Sequence, residues 1–217
     1  MSDFESRSAA EPADPDVEAS ARKRPKPGER RVQILQALAA MLEQPGGERI
    51  TTAALAARLE VSEAALYRHF ASKAQMFEGL IEFIEQSVFS LISQITTTGA
   101  GDGRQQVARI VAMLLQFGEK NPGMARVMVG DALVFENERL QQRMNLFFDK
   151  IESVLRQSLR DGALGEGSST PGLDAQVQAV VLTAFVVGQL QRFTRSGFRR
   201  VPTDKLDACL SRMLFIA

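Results

Sequence analysis

The chain has 217 residues, 45% of them hydrophobic, enough to fill the core of one large domain or two small ones. Its formal net charge is zero, which argues against a uniformly basic nucleic-acid binder, and its single cysteine excludes an internal disulfide or a cysteine-based metal cluster. No unbroken run of eighteen apolar residues appears, and the first thirty residues lack an apolar stretch followed by a small-residue cleavage site. The expectation is therefore a cytoplasmic globular protein with no membrane segment.

The charge is unevenly spread. The first twenty residues carry Asp3, Glu5, Glu11, Asp14, Asp16 and Glu18 against Arg7 alone, and a basic arm follows with Arg22, Lys23, Arg24, Lys26, Arg30 and Arg31 against Glu29. Residues 1–27 hold almost no large apolar side chain, cannot recover ordering entropy by burial, and are expected to be a disordered tail. From residue 28, apolar positions Val32, Ile34, Leu35, Leu38, Met41 and Leu42 recur at helical spacing until Pro45 and two glycines. Thr51 is placed to cap a short helix ending near Leu59, and Ser62 to cap a second one running to about Phe70. Two short helices joined by a tight turn outline a helix-turn-helix.

A long amphipathic helix is expected over 73–98, with Met76, Leu80, Phe83, Ile84, Val88, Leu91, Ile92 and Ile95 as its apolar stripe. Further helices are expected over 104–117, 123–129, 137–160, 173–196 and 204–215, with 130–136 as a loop and Cys209 as a buried thiol. No segment has the period of a strand. The fold class is all-α, with a tail (1–27), a helix-turn-helix domain (28–73) and a larger helical domain (74–217) that shares the long helix as a strut.

The stretch "SEAALYRHF" holds the only tyrosine and the only histidine, Tyr67 and His69. A zinc site needs three or four converging ligands, and one histidine with one distant cysteine cannot supply them. No oriented nucleophile and base, no P-loop and no dinucleotide fingerprint is present, so neither an enzyme nor a bound cofactor or metal is expected. The alternatives for the pair are half-buried residues of a small bundle or contacts to nucleic acid. A groove-reading helix needs small or polar side chains at its tip and phosphate-reaching ones along its flank. Ser62 and Glu63 stand at the tip, Ala64 and Ala65 let the backbone approach a thymine methyl, and Tyr67, Arg68, His69 and Lys73 reach phosphates or a base edge. Thr51 and Thr52 add hydroxyls at a helix amino terminus. The basic arm and the two capped helices favour duplex DNA.

The segment "ITTAALAARLEVSEAALYRHFASKAQMF" resembles the TetR-family DNA-binding domain, whose small-residue tip, L-Y-x-H-F run and later lysine are matched by Leu66, Tyr67, His69, Phe70 and Lys73. Within that family the likeness is to the nucleoid occlusion factors, and it extends through "LIEFIE", "FGEKNPGMARVMVGDALVFENERLQQR" and "FRRVPTD". The resemblance implies that Tyr67, His69 and Lys73 hold phosphates and that residues 63–65 face bases. It also implies dimerisation through the last two long helices and binding of the tubulin-like division protein FtsZ where the fourth helix meets the fifth. That surface would involve Phe83, Met113, Lys120 and Asn121, although Asn121 before Pro122 also reads as an ordinary helix stop.

The carboxy-terminal stripes of Val, Leu, Met, Ala and Phe suit a filled core, while the alternative is a repressor released by a small apolar inducer. Residues 174–196 are apolar around too much of the circumference for the exposed helix of a monomer. The simplest arrangement is a homodimer with an isologous interface, the alternative being an unusually buried helix within one subunit, and two reading heads on a two-fold axis imply a palindromic DNA site with half-sites ~34 Å apart.

Overall fold

The computed structural model describes residues 28–44, 50–98, 102–162 and 170–214. The expected tail over 1–27, Pro45 with its glycines, and the loop glycines 99 and 101 lie outside the described residues. The elements are α1 (Glu29–Leu42), α2 (Thr52–Arg58), α3 (Glu63–Tyr67), α4 (Lys73–Thr98), α5 (Gly103–Lys120), α6 (Pro122–Met128), a 3-10 turn (Asp131–Leu133), α7 (Glu138–Gly162), α8 (Pro171–Arg195) and α9 (Leu206–Leu214). Among the described residues there is no strand, as the periodicity predicts.

The chain's own polar groups set most of the boundaries. Thr51 Oγ1 accepts the N–H of Ala54 at 3.1 Å and Ser62 Oγ accepts that of Ala65 at 3.3 Å, so both expected caps are in place. Between them α2 closes with Glu60 in the left-handed region (φ 53°), its N–H bonded to Ala57 O and that of Val61 to Ala56 O. This Schellman pair turns the chain within three residues and fixes the angle between α2 and α3. Ser72 Oγ accepts the N–H of Gln75, whose side chain in turn accepts the N–H of Ala71, which starts α4.

Several boundaries differ from the pattern-based reading, among them the end of α5, which runs to Lys120 rather than stopping at 117. Helix α3 stops at Tyr67, not near Phe70, because the N–H groups of His69 and Phe70 both fold back to Leu66 O. Helix α9 begins at Leu206, two residues later than expected, after the left-handed Lys205 (φ 56°). The stretch read as a loop contains the 3-10 turn, which follows left-handed Gly130 (φ 82°).

One apolar cluster runs through the molecule. Leu38, Leu55, Leu66, Phe70 and Phe77 fill the amino-terminal end, and Leu80, Ile84, Val88, Leu114, Phe147, Leu155, Leu182 and Leu190 continue it through the helical bundle. The buried face of α4 is Met76, Phe77, Leu80, Ile81, Ile84, Val88 and Ile92. Phe83, assigned to that stripe from spacing, lies off it and is 46% exposed, because Phe77 and Ile81 widen the core face on its other side. Cys209 is half-buried rather than buried.

Helix α6 clasps α1. A Cβ built on Gly123 would lie 2.0 Å from the Ala39 carbonyl oxygen, so only glycine lets the two backbones touch. Arg126 Nη1 donates to Leu42 O at 3.1 Å and Gln44 O at 3.3 Å, satisfying carbonyls at the end of α1. Along the opposite side, α4 and the entry of α7 are joined by Lys73–Glu136, Glu78–Arg139 and Glu85–Arg143. The hydrogen bond to Glu85 raises the Arg143 pKa above its ordinary value.

Helix α8 carries two apolar faces. Ala179, Leu182, Val186 and Leu190 are buried against the bundle, while Leu173, Val177, Val180 and Val181 are each at least 46% exposed. Its length and a mean hydropathy of 1.4 over eighteen residues would suffice to cross a membrane, although no unbroken apolar run marks it. Only 33% of that window is buried within the subunit.

Candidate nucleic-acid interface

The interface begins with α2 and α3. Their amino termini are tied together by Thr52 Oγ1 donating to Glu63 Oε2 at 2.6 Å, so these two tip residues are coupled as well as polar. Glu63 in the first turn of α3 also complements the partial positive charge of that helix end. Thr51 and Ser62 accept backbone N–H bonds through their hydroxyl oxygens, which leaves each hydroxyl proton free to donate. Ala64 is exposed and Ala65 half-buried. Their methyl groups bring the α3 backbone close to whatever lies in front of it.

Behind the tip, Leu66 and Phe70 are each 1% exposed and anchor α3 to the core. That anchoring turns Tyr67, Arg68 and His69 outward, and all three are exposed. Their side chains have no hydrogen-bond or ion-pair partner among the described residues. Three unengaged polar side chains in a row, at the end of a capped helix and in the turn that follows it, are suited to phosphate oxygens. No group of three His, Cys, Asp or Glu side chains among the described residues could hold a metal ion.

The remaining members of the expected set are placed differently. Lys73 is half-buried, pairs with Glu136 and lies 5.6 Å from the Phe77 ring, so its ammonium is already engaged within the chain. Arg31, read from sequence as part of a diffuse basic arm, is a specific clamp. Its Nη1 donates to His69 O at 2.7 Å and its guanidinium stacks 4.1 Å from the Phe70 ring, holding the end of α3 against α1. No local signal could have found either contact, because the partners are 38 and 63 residues apart in the chain.

The expected partner-binding residues lie on α4 and α5, which pack against one another. Phe83 is 46% exposed, an aromatic ring that the fold itself does not use. Lys120 is exposed in the last turn of α5, and Met113 is half-buried against the core. Asn121 closes α5: its N–H reaches Phe117 O and Gly118 O, and its Nδ2 donates to Phe117 O at 2.8 Å. The turn chemistry read from Asn121-Pro122 is thus present.

Two family profiles match the chain, one described as bacterial regulatory proteins of the tetR family over residues 34–80 and one as a tetracyclin repressor-like C-terminal domain over 102–215. The nucleoid occlusion factor SlmA of Vibrio cholerae is 52% identical over 179 residues, covering 82% of this chain and 90% of that protein. The SlmA of Shewanella sediminis is 51% identical over 178 residues, covering 82% and 89%. Among solved structures, the regulator FadR of Bacillus subtilis in complex with stearoyl-CoA superposes with a TM-score of 0.68 at 14% identity over 84% of this chain and 97% of its own. A TetR-family regulator from Rhodococcus gives 0.68 at 23% identity over 87% and 98%, and both establish a shared fold. With two TetR profiles spanning most of its length and about half of the aligned residues identical to these relatives, the chain belongs to the TetR family, in the group of the SlmA nucleoid occlusion factors.

Proposed function

We propose that this protein binds a palindromic duplex DNA site as a homodimer and, through its carboxy-terminal domain, engages FtsZ to block division over the chromosome. The observation that carries the DNA half is the row of exposed, unpartnered Tyr67, Arg68 and His69 behind the Ala64 and Ala65 tip. Phosphate contacts come from that row, from Lys73 once it leaves Glu136, from the hydroxyls of Thr51 and Ser62, and from that of Thr52 once it leaves Glu63. Base contacts come from Glu63, Ala64 and Ala65, a carboxylate suited to a cytosine amino group and methyl groups suited to thymine.

Dimerisation is supported by the exposed stripe of Leu173, Val177, Val180 and Val181, which a second copy of α8 covers across a two-fold axis. The FtsZ reading rests on the family resemblance of the sequence and on exposed Phe83, with Met113, Lys120 and Asn121 on and at the end of the neighbouring helix as the rest of the surface. Such a protein works in the cytoplasm on the nucleoid and needs no cofactor. The deciding experiment mixes the protein, with and without a palindromic duplex, with polymerising FtsZ and measures co-sedimentation. Association that is lost in Phe83→Ala while DNA binding stays intact is the expected result. No association under either condition would instead favour a repressor released by a small apolar inducer.

A further inference from the structure

The geometry points to a second anion site, remote in sequence from the helix-turn-helix: a cleft between the end of α8 and the start of α9 that takes a di- or triphosphate group. The cleft has a volume of about 690 Å³ and is lined by Arg192, Arg199, Arg200 and Lys205, with Asp204 the one carboxylate in its wall. That volume lies within the usual range of small-molecule sites. Arg199 is engaged with the end of α8, its Nε donating to Ser196 O at 2.9 Å. Arg192, Arg200 and Lys205 have no side-chain partner among the described residues, so these cations and Arg199 face a cleft that holds a single carboxylate. Like charges gathered in this way repel one another, and a polyanion removes that repulsion while gaining charge-assisted hydrogen bonds.

The walls are fixed in advance. Ser196 Oγ accepts the N–H groups of Arg199 at 3.1 Å and Arg200 at 2.8 Å. Thr203 Oγ1 donates to Glu119 Oε2 at 2.6 Å, pinning the loop to α5. Phe198 and Lys205 are both in the left-handed region, at φ 63° and 56°, a conformation that non-glycine residues adopt only when their surroundings enforce it. A cationic cleft held open by such a loop binds without the cost of ordering it. Val201 and Cys209 give the cleft an apolar side next to the cations, which fits the remainder of a nucleotide rather than a bare inorganic ion.

The test titrates the full chain, without DNA, with inorganic pyrophosphate and separately with adenosine triphosphate by calorimetry. Saturable binding at one site per subunit is expected, weakened about tenfold or more in Arg200→Gln and in Lys205→Gln. Tighter binding of the triphosphate assigns the apolar wall to the nucleoside, and equal affinities restrict recognition to the phosphates. Cys209 is the chain's only cysteine, so ligand should also slow its reaction with a thiol reagent. The proposal is overturned by the absence of saturable binding, by both variants binding as tightly as the parent chain, or by sulfate at matched ionic strength competing as well as pyrophosphate. Because α8 also carries the apolar stripe, a dimer that covers the cleft would show itself as the first of these.

Discussion

Replacing Gly123 by alanine probes the junction on which the reading head is mounted. The added Cβ falls 2.0 Å from the Ala39 carbonyl oxygen and 2.9 Å from its carbon, where ordinary contact begins near 3.4 Å. Helices α1 and α6 must therefore part by about 1.4 Å, because the obstacle is main chain and cannot rotate away. Overpacking of this kind costs ~1–3 kcal/mol, and alanine returns only ~0.4–1 kcal/mol by restricting the unfolded chain. A net loss of about 1 kcal/mol follows, which for a chain of this size lowers Tm by roughly 2–4 °C. Urea unfolding gives the free energy, and titration of a palindromic duplex gives the effect on α1 and the helices it supports. A double-mutant cycle with Arg126→Ala sharpens the test. If the helices have parted, the Arg126 bonds to Leu42 and Gln44 are already strained, and the second substitution costs less than it does alone. Stability within about 0.5 kcal/mol of the parent, with full additivity and unchanged DNA affinity, would refute the close-contact argument.

Four further outcomes follow from individual side chains. Thr183 is 8% exposed and its hydroxyl has no partner, so Thr183→Val should raise stability by about 1 kcal/mol in the same urea assay; a loss would mean that the hydroxyl is satisfied. His69→Ala should weaken binding to specific and random duplexes alike, whereas Ala64→Ser should change only the preference among sequences, and a selection experiment on randomised sites separates the two. Glu136→Gln releases Lys73 and should tighten DNA binding about threefold at low salt regardless of sequence, an effect that must shrink as salt is raised. Val181→Asp places a charge in the exposed stripe of α8 and should shift the protein to monomer in sedimentation; an unaltered dimer would locate the interface elsewhere.

Much of this architecture was legible before any coordinates. The caps at Thr51 and Ser62 and the span of α4 follow from local chemistry and periodicity, and the structure has all three where the pattern puts them. The excess apolar surface of α8 was likewise visible as a stripe too wide for one core. What escaped were arrangements that depend on residues distant in the chain. Phe83 fits a helical stripe by spacing alone, and only the packing of Phe77 and Ile81 decides that the stripe passes it by. Lys73 carries a family pattern that suggests a free phosphate contact, while its pairing with Glu136 depends on where α7 enters the bundle. Arg31 likewise turned from one charge among many into a clamp because Phe70 happens to face it.

The length of α4 adds a mechanical consequence. Its 26 residues make a rod of about 39 Å, with Lys73 at one end and Phe83 about 15 Å along it. Pivoting that rod by ~3° about its far end carries Lys73 through about 2 Å, more than a hydrogen bond to Glu136 can stretch. Whatever grips the Lys73 end and whatever docks at Phe83 are thus acting on the same lever, and each sets the angle at which the other finds it. In a two-fold assembly a single tilt is mirrored, so the spacing of the two reading heads changes by twice the displacement of one.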